Sequence, residues 1–349
     1  MGKTVPDRRK STSAGKERAS DGKGGIQGMR SHKLVIAVSV LERELREKIR
    51  SAAEAAGWTA VFCESDEEAI PHLADTEVLL GQSAALTRNA PALRWVCTPS
   101  AGVNQFMAED AFASPSAVLT NSSGAYGVTI AEHIVMVILE MFRHQREYTE
   151  IVGRRAWTRD LAVRSILGSR VTLAGTGDIG QEAALRLRAF RPASLTGVNR
   201  RGRNPGGLFD RIVTADHLSD VLPETDILIV SLPGTRETAR LLDAERLALL
   251  PDQALVVNVG RGAVIDREAL EKELRSGRLM AALDVFDREP IPPEDSLWDC
   301  PNLLITPHTA GNMTLPYTRR RIVDLFLEDF GNYLAGKPLL RQVDLSRGY

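Results

Sequence analysis

Three glycines at 175, 177 and 180 are where spacing most narrows the chemistry open to this chain. The stretch Arg170 to Gln181 reads R-V-T-L-A-G-T-G-D-I-G-Q, an apolar run followed at once by Gly175-x-Gly177-x-x-Gly180. A segment rich in Ala, Leu and Arg then continues to Phe190. Leaving a strand and opening a helix is the setting in which this spacing cradles the pyrophosphate of a dinucleotide. Gly175 permits the tight turn, Gly177 lets backbone approach the phosphates with no Cβ in the way, and Gly180 allows close helix–sheet packing. The free N–H groups of the first helical turn, where Asp178 and Ile179 stand, face the anion. The next strand, Ser194 to Val198, should end on Asp or Glu if it served a free ribose 2′-OH. Asn199, Arg200 and Arg201 stand there instead, with Arg203 close behind. No acidic residue occurs from Ala183 through Phe209, whereas Arg186, Arg188, Arg191, Arg200, Arg201 and Arg203 do. Guanidinium pairs bidentately with phosphate, so the expected cofactor is NADP(H) in preference, with NAD(H) possible.

The later strand ends add residues of a different chemistry. One ends at Ser231-Leu232-Pro233, where a turn can border the nucleotide, and the next at Val259-Gly260-Arg261-Gly262. The following strand ends at Asp284, with Glu289-Pro290 shortly after, and the last at Thr306-Pro307-His308-Thr309-Ala310-Gly311. A fixed cation, a carboxylate and an imidazole thus converge on the ligand edge. Any one alone would be read as structural; the three together are read as a site.

These residues need a scaffold that delivers strand ends to one edge. Lys33 to Ser39, Trp58 to Cys63, Val78 to Leu80, Leu93 to Cys97 and Val118 to Thr120 read as strands. Helical spacing over Leu41 to Ala56 and Glu67 to Ala74 separates the first of them. Six further strands are read at Arg170 to Ala174, Ser194 to Val198, Ile227 to Leu232, Ala254 to Asn258, Met280 to Val285 and Leu303 to Thr306, with helices such as Asp243 to Leu250 and Arg267 to Ser276 between. Alternation of this kind predicts two doubly wound parallel-sheet α/β domains. Between them lies V-T-I-A-E-H-I-V-M-V-I-L-E-M-F, residues 128 to 142, apolar nearly all round and expected to be buried, with Glu132 and His133 as a satisfied buried pair. His32, His72, His144 and His217 are read as surface or packing residues.

Length and composition bound the rest. A chain of 349 residues has room for two cores, and 43% hydrophobic with 26% charged residues is a globular balance. A formal net charge of −1 gives no reason to expect nucleic acid or membrane as partner. Residues 1–31, rich in Gly, Ser, Lys and Arg, read as a disordered extension without the apolar segment of a secretory signal. Cys63, Cys97 and Cys300 are scattered, which suits a reducing cytoplasm and predicts no metal cluster.

At the quoted residues the chain resembles the D-isomer-specific 2-hydroxyacid dehydrogenase family: G-T-G-D-I-G at 175–180, L-P-G-T-R-E-T at 232–238, N-V-G-R-G at 258–262, L-D-V-F-D-R-E-P at 283–290 and P-H-T-A-G at 307–311. The resemblance spans roughly Leu34 to Leu340. It implies a Rossmann NAD(P)-binding domain, 126–308, inserted into a flavodoxin-like substrate domain made of 32–125 and 309–349, with a C-terminal helix rejoining the first part. It implies that Ala101, Gly102 and Val103 offer backbone N–H groups to a substrate carboxylate, although Asn104 stands where Asp is more usual.

It further implies that Arg261 bridges carboxylate and keto oxygen, and that His308 is the proton donor with Glu289 keeping it charged. Asp284 would orient the nicotinamide carboxamide, while Leu232, Pro233, Val259, Gly260 and Gly311 line the cofactor. Glu289 rather than Gln argues for keto-acid chemistry over formate oxidation. The expectation is an oxidoreductase of the glyoxylate/hydroxypyruvate reductase kind acting on a small 2-keto or 2-hydroxy acid. Two other readings share the fold, a nucleotide-sensing protein like the C-terminal-binding co-repressors and an NAD-linked phosphoglycerate-type dehydrogenase. The basic residues after Asn199 weigh against both. Selectivity is assigned to loops around Gln82, Ser83, Tyr126 and Trp298, and a homodimer through the 128–142 helix is expected.

Overall fold

Each strand of the first sheet is a short apolar run bounded by turn residues, and all five lie parallel. The computed structural model describes residues 32–345, so the expected disordered extension 1–31 lies outside the described residues. Strands β1 (Lys33–Ala37), β2 (Thr59–Phe62), β3 (Val78–Gly81), β4 (Trp95–Cys97) and β5 (Val118–Thr120) form the order β2-β1-β3-β4-β5. Leu34 sits opposite Ala60 on one side and Val78 on the other. The order reverses between β1 and β3, and such a switch point opens a crevice beyond the strands' carboxyl ends. Helix α1 (Arg43–Ala55) buries its Leu45, Ile49 and Ala53 stripe. The short helices α2 (Asp66–Ala69) and α3 (Ala84–Arg88) start where Ser65 and Ser83 accept from the backbone N–H groups of Glu68 and Ala85.

The chain then leaves this sheet through α4 (Gly127–Phe142) and α5 (Gln145–Gly153). The second sheet contains β6 (Arg170–Ala174), β7 (Ser194–Asn199), β8 (Arg211–Thr214), β9 (Ile227–Val230), β10 (Leu255–Asn258), β11 (Met280–Leu283) and β12 (Leu303–Ile305). Their order is β12-β11-β10-β9-β6-β7-β8, all parallel, with helices α6 (Asp178–Arg188), α7 (Leu218–Val221), α8 (Ala244–Leu249) and α9 (Arg267–Arg275) in the crossovers. Ile134, Val137 and Ile138 of α4 share one core with Val171, Leu173 and Leu187, so α4 belongs to this second layer system.

Helix α10 (Pro316–Leu334) returns to the first sheet. Its Val323, Phe326 and Phe330 join Leu34, Ile36 and Trp95 in one cluster, and Phe326 stacks on Trp95 at 5.2 Å. Beyond it Gln342 forms an antiparallel bridge to Thr120. The two doubly wound sheets are those expected from the sequence.

Three local expectations are corrected. The second sheet has seven strands rather than six, because Arg211–Thr214 adds an edge strand paired only with β7. An edge strand needs little apolar sequence, and this one contributes only Ile212 and Val213 to the interior. Helix α4 is not buried all round; Glu132 and Met136 face outward, Met136 being 48% exposed. Nor do Glu132 and His133 form a pair, since neighbours on a helix point about 100° apart. Glu132 reaches Arg186 at 3.5 Å while His133 turns inward.

Candidate functional site

The glycine loop has the geometry its spacing predicts. Gly175 sits at φ +108°, where an added Cβ would lie 2.7 Å from Ser231 Oγ. A Cβ on Gly180 would collide with the Gly175 carbonyl, so the α6 start packs directly on the loop. A Cβ on Gly177 would meet no atom within 4 Å. Open space thus stands above the free N–H groups at the start of α6, which fits a pyrophosphate. Ile179 is half-buried on this first turn. The Asp178 carboxylate is turned toward α4, where a Cβ on Gly127 would stand 2.5 Å from its Oδ2.

Four strand ends share a device that sequence reading did not single out: an Asn or Asp whose side chain folds the turn that follows or an adjoining loop. Asn199 donates to Thr176 Oγ1 and to the Arg203 carbonyl, both at 2.9 Å, and accepts from Arg201 N–H at 3.0 Å. It therefore ties the basic turn to the glycine loop. Asn258 accepts from Gly260 N–H and donates to the Arg261 carbonyl, each at 3.0 Å. Asn121, after β5, donates to the Ala101 carbonyl at 2.9 Å. Asp284, after β11, is 2% exposed; its Oδ1 accepts from Thr306 Oγ1 at 2.6 Å and Thr309 N–H at 2.8 Å, and its Oδ2 from Ala310 N–H at 3.0 Å. The available signal was positional, an Asx residue closing an apolar run. What the geometry gives Asp284 is the anchoring of the turn that carries His308.

Of the six arginines counted from sequence, three stand at the end of β7. Arg200, Arg201 and Arg203 are exposed there. Arg186 is paired with Glu182 at 2.5 Å, and Arg188 with Asp210 at 2.9 Å. Glu182 and Asp210 lie just outside the acid-free stretch, so these arginines belong to α6 and its packing. Arg191 lies in the turn between the end of α6 and the start of β7, where its carbonyl accepts from Gly168 N–H at 3.0 Å.

Arg261 crosses from one sheet to the other. A Cβ on Gly102 would collide with its Nη2, and a Cβ on Gly234 would lie 3.2 Å from its Cγ. Nη1 donates to the Gly260 carbonyl at 2.7 Å. Burial holds the guanidinium below its ordinary value, with the charge of Glu289 opposing that shift. The Gly102 loop beneath it is held by its own polar groups. Ser100 Oγ donates to the Gly102 carbonyl at 2.6 Å, and Tyr126 OH donates to the Pro99 carbonyl at 2.7 Å. Ala101 is exposed and Val103 anchors the loop in the core. Behind the arginine, Gly260 packs on the backbone of Ser231 and Leu232, Leu232 is half-buried, Pro233 is exposed, and Val259 is buried.

His308 and Glu289 meet. Nδ1 of His308 lies 2.6 Å from Glu289 Oε2, while Oε1 accepts from Phe286 N–H at 2.8 Å. The imidazole is 49% exposed, so its second nitrogen is open to a ligand. His308 adopts φ +53°, a left-handed conformation costing a side chain about 1–2 kcal/mol. Such backbone persists where neighbours impose it. Here the backbone N–H of His308 donates to the Asp284 carbonyl at 2.9 Å. Gly311 closes the turn against Ile130 and Tyr126.

The selectivity residues named from sequence separate. Gln82 lines a cavity of ≈ 220 Å³ at the carboxyl edge of the first sheet with Ser39, Ser65, Pro99 and Met313. Ser83 caps α3, Tyr126 is buried, and Trp298 donates to the Pro292 carbonyl at 2.8 Å. Among the described residues no group of three His, Cys, Asp or Glu could hold a metal, and no helix is long and apolar enough to cross a membrane.

A family model described as "D-isomer specific 2-hydroxyacid dehydrogenase, NAD binding domain" matches residues 135–310. Glyoxylate/hydroxypyruvate reductase B of Pectobacterium atrosepticum is 31% identical over 253 residues, covering 69% of this chain and 78% of that protein. A D-isomer specific 2-hydroxyacid dehydrogenase family protein of Aeromonas salmonicida superposes with a TM-score of 0.79 at 29% identity, over 90% of this chain and 99% of that one. A D-isomer specific 2-hydroxyacid dehydrogenase of Xanthobacter autotrophicus, solved with NADPH and MES, gives 0.73 at 30% identity, over 91% and 100%.

Proposed function

The chain belongs to the D-isomer specific 2-hydroxyacid dehydrogenase family of NAD(P)-dependent oxidoreductases, and on that premise we propose that it reduces a small 2-keto acid, of the glyoxylate or hydroxypyruvate kind, to the D-2-hydroxy acid with NADPH. The observation that carries this reading is the placing of Arg261 over Gly102 together with the His308–Glu289 pair. Bound NADPH supplies a hydride to the keto carbon. The N–H groups of Ala101, Gly102 and Val103 hold the substrate carboxylate. Arg261 bridges carboxylate and keto oxygen and stabilises the negative charge that develops there. Glu289 on Nδ1 fixes the imidazole, leaving Nε2–H to protonate the oxygen. In oxidation the same nitrogen takes the proton back.

Arg200 and Arg201 supply the charge that an extra 2′-phosphate needs, and Asn199 replaces the carboxylate that would repel it. Gly175, Gly177 and Gly180 hold the pyrophosphate. The polar lining that Ser39, Ser65 and Gln82 give the neighbouring cavity suits a hydroxyl-bearing substituent better than an aromatic one. A homodimer is part of the same reading. Met136 on α4 and, beyond it, Val152, Val163 and the 92% exposed Trp157 offer apolar surface to a second copy, which solution mass would test.

Initial rates with glyoxylate, hydroxypyruvate, pyruvate and phenylpyruvate, each with NADPH and NADH, test the proposal. Turnover favouring NADPH with one of the two smaller, more polar acids is expected. No turnover with any pair, despite NADPH binding, would overturn it in favour of nucleotide sensing.

A further inference from the structure

His133 lies midway along α4, 11% exposed, with Nε2 3.3 Å from Thr306 Oγ1. The Thr306 hydroxyl is 2.6 Å from Asp284 Oδ1. A carboxylate only accepts, so the hydroxyl proton goes to Asp284 and Thr306 must accept from the imidazole. That fixes Nε2 of His133 as the protonated nitrogen. Asp284 in turn accepts from the amides of Thr309 and Ala310, and its carbonyl accepts from His308 N–H. A continuous chain of donors therefore runs from α4 to the left-handed residue that bears the catalytic imidazole. The same helix holds the other half of the site, because the Tyr126 hydroxyl that precedes it donates to Pro99, and Ile130 packs against Gly311.

We propose that His133 is a positioning residue for the reaction: acting through Thr306, it orients the Asp284 carboxylate and so sets the turn that presents His308. Among the described residues His133 makes no hydrogen bond to the glycine loop or the Gly102 loop. Its effect is on where the proton donor stands; the glycine loop and the turn after Asn199, which would hold the cofactor's phosphates, lie outside that hydrogen-bond chain. Burial pushes the imidazole below its ordinary value against the charges of Asp284 and Glu140, consistent with a neutral donor. Leucine would fill the same space without the donor, and glutamine would keep one.

This inference rests on the keto-acid reading of the site, and its test separates the two. His133→Leu, His133→Gln, Thr306→Val and Thr306→Ser are compared with the unmodified full-length chain for kcat, keto-acid KM and NADPH Kd. Amide exchange over 306–311 is followed alongside. Misplacing a reacting group slightly can cost roughly 10- to 100-fold, so kcat should fall by about that in His133→Leu and Thr306→Val. KM and Kd should stay within about threefold, the mark of an interaction felt only in the transition state. Glutamine at 133 and serine at 306 should restore most of the rate, and exchange at Thr309 and Ala310 should quicken only in the leucine and valine variants. Should His133→Leu fail to fold, the nearly isosteric Thr306→Val decides. Unchanged kcat in both, or equal losses in Thr306→Ser and Thr306→Val, overturns the proposal. A wild-type chain that reduces no keto acid overturns the functional reading instead, and exchange at Thr309 and Ala310 then decides the positioning claim alone.

Discussion

Two turns at the carboxyl edge of the second sheet, the one bearing His308 and the one bearing Arg200 and Arg201, are built on the same plan and finished differently. Each is folded by the side chain of an Asx residue at a strand end. Asp284 does so from a buried position, with both oxygens and its carbonyl engaged by the turn. Asn199 does so from a half-exposed one, with the exposed Arg200 and Arg201 following it. The first turn is fixed by the protein's own hydrogen bonds, as the proposed proton donor requires, because small errors in its position would cost rate. The second offers charge on long side chains that can settle around a phosphate when one binds. On the proposed reading, the chemistry relies on a turn held by a buried carboxylate, and cofactor choice on exposed arginine.

The strongest challenge to that contrast is to strip each turn of its working side chain and ask whether the consequences stay separate. His308→Ala should lower kcat by roughly 10²- to 10⁴-fold, the usual worth of a positioned acid, while the NADPH Kd barely moves. Substantial loss of NADPH affinity would show that the two turns act as one. The reciprocal change, Arg200→Ala with Arg201→Ala, should weaken NADPH by about 10- to 100-fold, the worth of one or two charge-assisted contacts. NADH affinity and the kcat of the saturated enzyme should be nearly unaffected. Equal weakening of both nucleotides would assign the arginines to general attraction rather than to the 2′-phosphate.

A smaller effect asks which of the two the Gly102 loop resembles. Cys97, at the end of β4 just before that loop, is 2% exposed, and burial pushes its thiol up to about 12. The native state keeps the proton that the unfolded chain releases above the ordinary thiol value near 8.5, so stability is complete below that pH and declines as pH rises toward 12. Thermal melts of wild type and Cys97→Ala between pH 8 and 11 should diverge, the wild type falling more steeply by at most about 1.4 kcal/mol per pH unit. Parallel curves would mean that water reaches the loop's underside.

Much of this site was legible because its parts are short-range. Gly175, Gly177 and Gly180 declare themselves by spacing, and Arg261 and His308 by following apolar runs that had to be strands. The first sheet was read strand for strand for the same reason. What escaped depends on tertiary partners. Arg211–Thr214 carries too little apolar sequence to be separated from a loop without β7 beside it. The anchoring of the His308 turn by Asp284 was invisible because its donors lie more than twenty residues away, at Thr306, Thr309 and Ala310. His133 looked like half of a pair with Glu132, and only the rotation of α4 shows which of the two faces Thr306. The basic stretch was overcounted for a related reason, since Glu182 and Asp210 claim two of its arginines from outside the window.

The return of α10 to the first sheet sets an order of assembly. Lys48 pairs with Asp324, and Trp95 waits for Phe326, across more than 200 intervening residues. Synthesis runs from the N-terminus, so the five-stranded sheet emerges with one apolar face bare, and closing so long a loop is slow. The inserted seven-stranded sheet, contiguous in sequence, can close first. It then brings the last helix back to a half-built neighbour, which makes the first sheet the segment most exposed to misassembly while the chain is being made.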